Sequence, residues 1–118
     1  MSAKSPECYT TDANARCLRV EISASQSLLL SWDHFAFSEL TSDGKEQRLR
    51  LVFVTHEVRI SGHALRRIEA GMQRKELASL MKLPDKYQSL MNDNQPIIRE
   101  IAVTESQSVN LQSEAHSN

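Results

Sequence analysis

The residues able to do acid–base, nucleophilic or metal chemistry are few in this chain and widely spread. There are four histidines, at positions 34, 56, 63 and 116. His56-Glu57 followed by His63 sets two imidazoles seven positions apart, whereas a helical zinc pair needs them one turn apart, at i and i+4. No metal site is expected. Asp33-His34 beside Ser31, or with Ser61, supplies the residue types of a nucleophilic triad. No G-x-S-x-G elbow accompanies them, however, and Ser61 reads as a helix cap. Gly44, Gly62 and Gly71 stand far apart, so no glycine-rich loop is available to let a backbone approach phosphate. No cofactor is expected. Cys8 and Cys17 belong to no C-x-x-C motif and read as reduced thiols, with Cys17 opening a strand. No catalytic residue is assigned. An enzyme of unrecognised type would need a polar pocket containing His34, His56 or His63.

Charge is more informative than reactivity. Residues 61–86 carry six cations, Arg66, Arg67, Arg74, Lys75, Lys82 and Lys86, against Glu69, Glu76 and Asp85. Within this stretch, Gly71-Met72-Gln73-Arg74-Lys75-Glu76-Leu77-Ala78-Ser79-Leu80-Met81-Lys82-Leu83-Pro84 resembles the second helix and turn of a phage-repressor-type helix-turn-helix. The resemblance rests on a Gly-apolar entry followed by Glu-Leu-Ala and two further apolar residues. It implies that residues 85–92 would be the recognition helix, with Lys86, Tyr87, Gln88 and Ser89 toward the major groove.

The elements that would position these groups follow from periodicity. Leu18–Ile22 alternates strictly and reads as a half-buried strand. Leu28–Trp32 reads as a second strand, broken by Asp33 and His34. Phe35–Leu40 and 46–54 flank Asp43-Gly44, the strongest turn signal in the chain, and are expected to form a hairpin. The aromatics Phe35, Phe37 and Phe53 of this hairpin are assigned to the core. Leu49, Leu51 and Phe53 are odd-numbered, while Val58 and Ile60 are even-numbered. One straight strand cannot send both sets to one face, so the chain must bulge or reverse near Thr55–Glu57. Leu65, Ile68 and Met72 then follow at helical spacing, and Leu77, Leu80 and Met81 lie further around the wheel. A helix from Ser61, a break near Gly71 and a second helix over 74–82 account for that drift. A third helix start is read at Asp85–Met91, and residues 96–103 close the body as a strand.

The expected fold is α+β. It has an antiparallel sheet of five to six strands, curved or partly closed into a barrel, with two or three short helices before the last strand. The polar, aperiodic stretches 1–15 and 105–118 are read as disordered tails around a single domain over 16–104.

The chain is 118 residues long, 40% hydrophobic and 5% aromatic, with 14 Lys+Arg against 15 Asp+Glu. The near balance excludes a chain-wide basic field while leaving room for a local basic face. The longest apolar run, Leu51–Val54, is far too short to span a bilayer. The start of the chain has no apolar segment that reads as a secretory signal, and a cytoplasmic location is expected. The reading that follows is a non-catalytic protein-interaction or scaffold domain, self-associating as a homo-oligomer (a dimer), with Trp32 as the candidate interface residue. The alternative is a nucleic-acid-binding module using the basic residues of 61–90.

Overall fold

The computed structural model describes residues 7–84, 86 and 95–106. The chain is mostly β. Eight strands run in order: β1 (Tyr9–Thr11), β2 (Cys17–Ser23), β3 (Gln26–Ser31), β4 (Phe35–Asp43), β5 (Glu46–Phe53), β6 (His56–His63), β7 (Leu77–Met81) and β8 (Ile97–Glu105). Among the described residues, the α-helix α1 (Arg66–Gln73) sits between β6 and β7, and a 3-10 turn at Trp32–His34 joins β3 to β4. The strands form two four-stranded sheets, ordered β1-β7-β2-β3 and β4-β5-β6-β8. The expected single sheet of five to six strands with two or three helices is therefore overturned, and so is partial closure into a barrel.

The second sheet grows from local signals. Gly44 supplies the positive backbone angle (φ 65°) of the two-residue loop between Asp43 and Glu46, so β4 and β5 pair as the turn residues demand. The chain then reverses at Val54–Thr55, which sets Leu49 opposite Ile60 and Leu51 opposite Val58. This reversal is what the change of parity required. All four of these residues are buried, as is Phe53.

The helical reading of 74–82 fails for an instructive reason. Leu77 and Leu80 are both buried although three residues apart, a spacing that normally means helix. In β7 the register against β1 jumps from Thr10↔Ser79 to Thr11↔Leu77. The extra residue, Ala78, is a bulge, and it returns Leu77 to the same face as Leu80. β7 then lies between β1 and β2, antiparallel to the former and parallel to the latter. The resemblance to a helix-turn-helix is thus one of sequence, because its second helix is a central strand. The third helix expected over 85–91 falls outside the described residues except for Lys86. β1 pairs with β7 inside the stretch read as an N-terminal tail.

Helix α1 packs Ile68, Gly71 and Met72 inward. It starts at Arg66, with Leu65 rather than Ser61 at the N-cap, and Leu65 offers no side-chain cap. The Leu65 amide instead donates to Gln47 Oε1 at 2.7 Å, which ties the helix start to β5. The helix ends at Gln73, near the break expected at Gly71. It closes on Lys75, whose amide donates to the Met72 carbonyl (2.8 Å) while the Glu76 amide donates to the Gly71 carbonyl (2.9 Å). These two bonds are a Schellman closure, and its left-handed position is held by Lys75 at φ 58°. Glycine takes that conformation without a Cβ penalty. Lys75→Gly is therefore expected to stabilise the fold by about 1 kcal/mol, net of the freedom glycine adds to the unfolded chain. Urea unfolding of the two proteins measures this, and an unchanged or lower midpoint refutes it.

Candidate binding face

The strand register that buries one side of the second sheet builds a polar lattice on the other. Glu39, Arg50, Arg59 and Ala102 lie in one row across β4, β5, β6 and β8, and Thr41, Arg48, Ser61 and Glu100 lie in the next. The small side chains of Ser61 and Ala102 stand beside three arginines, leaving a groove of about 410 Å³ between the rows. On the far side of the first row come Phe37, Val52, Glu57 and Thr104.

Glu57 organises the arginines. Its Oε2 accepts from Arg50 Nε and from Arg59 Nε, both at 2.7 Å. Arg50 also reaches Glu39 at 3.3 Å and lies over the Phe37 ring, 5.4 Å from its centroid. The hydrogen bond from Arg50, then that from Arg59, holds the Glu57 carboxyl below the usual carboxylate range. A lowered acid pKa contributes stability that is present above the unfolded value, about 4.3, and is lost as pH falls through the folded value. Native stability is thus expected to decline as pH drops below about 4.3, and Glu57→Gln is expected to flatten that decline. Urea midpoints measured along a pH series test this, and parallel profiles for the two proteins would contradict it.

The residues singled out for chemistry do not converge. His34 lies in the 3-10 turn, His56 opens β6 and His63 ends it. His56 Nδ1 bonds Thr55 Oγ1 at 2.8 Å, and His63 Nδ1 lies 3.3 Å from the Lys45 carbonyl oxygen. Among the described residues no three His, Cys, Asp or Glu side chains group as metal ligands. Ser31 Oγ accepts from the Asp33 amide at 3.2 Å, so this hydroxyl caps the turn. Ser61 faces outward on β6, in the groove, rather than capping α1. Cys8 is buried, its Sγ 3.4 Å from the Pro96 carbonyl oxygen, and burial pushes its thiol up to about 11. Cys17 is exposed, and both cysteines are free.

Trp32 is buried in the core, its Nε1 donating to the Leu77 carbonyl at 2.9 Å. Arg66 and Arg67 open α1, Arg74 and Lys75 follow its end, and Lys82 follows β7; all five are exposed, as is Lys86. Phe37 faces solvent, 47% exposed, rather than entering the core with Phe35 and Phe53.

Sequence reasoning did not identify the Arg48–Arg50–Arg59 lattice. Its signal was the complement of the parity argument: if Leu49 and Leu51 face inward, Arg48 and Arg50 face outward together. No helix among the described residues is long and apolar enough to cross a membrane. No protein-family model, curated protein or solved structure matches the chain.

Proposed function

We propose that this protein is a non-catalytic, cytoplasmic interaction domain that self-associates through strand β4 and docks a protein partner on the outer face of its second sheet. One observation carries the reading. β4 is a nine-residue edge strand without the lysine or proline that commonly blunts such edges. Two copies pairing through β4 would extend the sheet and double the arginine-bearing face. That face offers arginine and an exposed phenylalanine, side chains of the kind enriched at the buried centres of interfaces. Two free cysteines accord with a reducing compartment.

Light scattering after size exclusion of the full chain tests the self-association. A mass twice the 13.4 kDa of one chain, with hydrogen-exchange protection of β4 that grows with protein concentration, supports it. The mass of a single chain at micromolar concentration overturns it.

A further inference from the structure

Most arginines of the second sheet are ion-paired, and among the described residues the cations around α1 are not. On the second sheet Arg50, Arg59 and Arg99 pair with carboxylates, and Arg48 alone of its four arginines has no ion pair among the described residues. Arg66, Arg67, Arg74 and Lys75, around α1, have no ion pair among the described residues. Ile68 and Met72 face inward, and Arg66, Arg67, Ala70 and Gln73 form the exposed side of the helix. Glu69, on the same helix, lies in a hollow beside Phe35 and Ser38 of β4.

Arg66, Arg67 and Lys75 also occupy places that helix stability disfavours. Arg66 and Arg67 stand in the first turn, at the positive end of the helix dipole, where acids are preferred. Lys75 occupies the left-handed position that suits glycine. At the start of α1 the departure is one of charge, with Glu69 the one acid in that turn; at its end the departure is the left-handed backbone of Lys75, while positive charge there accords with the dipole. Departures of this kind concentrate where a surface has work other than folding.

We propose that the outer face of α1 binds the phosphate backbone of nucleic acid, independently of sequence. Charge complementarity selects the ligand. From Arg66 to Lys75 the cations extend over roughly 13 Å at 1.5 Å per residue, a strip of positive charge suited to successive phosphates. A helix that binds by inserting into a membrane needs bulky apolar side chains on its outward side, and this one presents Ala70 and Gln73 between its cations. With the helix-turn-helix absent, base reading is not part of the proposal. It is also independent of self-association through β4: a monomer that binds nucleic acid refutes that reading and leaves this one standing.

Fluorescence anisotropy of the full chain with random duplex DNA and with single-stranded RNA tests the idea. Four phosphate contacts on duplex give a log–log salt slope of about −3.6, so affinity is expected to fall roughly 100-fold between ~50 and ~200 mM salt. Arg66→Glu with Arg67→Glu is expected to abolish binding while circular dichroism stays unchanged. Lys75→Gly separates binding from folding. It is expected to raise the melting temperature yet weaken binding, with the slope falling to about −2.7. No binding at low salt, binding indifferent to salt, or binding unchanged in Lys75→Gly overturns the proposal. So does retention on phosphatidylserine vesicles without retention on nucleic acid.

Discussion

Gly62→Ala is expected to destabilise the protein by about 3 kcal/mol, the upper end of the usual range for overpacking a core. A Cβ at this position would overlap the Ile97 carbonyl oxygen and would stand 2.9 Å from the Ile97 carbonyl carbon and 3.2 Å from the Arg99 amide nitrogen. All three are backbone atoms, so no side chain can rotate away. The register of β6 against β8 shifts between Ser61 and Gly62, and the irregularity brings the two backbones into this contact. Room for the methyl would come from parting β6 and β8, which carry Ile60, Ile97 and Ile98 into the core. Gly44→Ala is the informative companion. Nothing lies within 4 Å of a Cβ there, but φ is 65°, so its cost is conformational, roughly 1–2 kcal/mol. Urea unfolding followed by circular dichroism ranks the two. A Gly62→Ala protein within experimental error of the parent would show that β8 does not approach β6 as described.

Trp32→Ala carries the second large effect, a loss of about 4 kcal/mol, in the range for removing a buried large aromatic side chain. The indole is 4% exposed and packs against the rings of Phe35 and Phe53, with centroids 5.2 and 5.5 Å away. It also spans the two sheets, because its Nε1–H satisfies the Leu77 carbonyl of β7 while Phe53 belongs to β5. Trp32→Phe separates the contributions. It keeps most of the apolar contact but leaves that carbonyl without its partner, and is expected to lose about 1–3 kcal/mol. Equal losses for the two variants would mean that the hydrogen bond, not the packing, dominates. A stable Trp32→Ala protein of changed oligomeric state would restore Trp32 as an interface residue.

What was legible in the sequence was local. β2 and the β4–β5 hairpin declare themselves by alternation and by Asp43-Gly44, and the reversal after Phe53 follows from a change of parity. What was not legible depends on distant partners. The segment around β7 combines residues that favour helices, Arg74-Lys75-Glu76-Leu77-Ala78, with leucines three apart. Only pairing with β1 on one side and β2 on the other, with Ala78 bulged, makes it a strand. Tyr9–Thr11 is polar and short, and it becomes β1 because β7 offers an edge. The outer face of the second sheet was half legible: the parity that located the core also specified which arginines would share a surface, but not that Glu57 would gather Arg50 and Arg59.

The parallel pairing of β2 with β7 has a consequence for the order in which the molecule assembles. Hairpins β4–β5 and β5–β6 each close over two residues, so their loop-closure entropy is small. β2 and β7 instead join residues 19–21 to residues 79–81, and closure of so long a loop is slow until the intervening chain has condensed. The β4–β6 meander is thus the natural nucleus, and the first sheet is completed last. Until β7 is in place, the β2–β3 hairpin lacks its neighbour and β1 has no strand to pair with. A chain halted before Leu77 would hold most of the second sheet while Leu18 and Val20 still lacked the strand beside them.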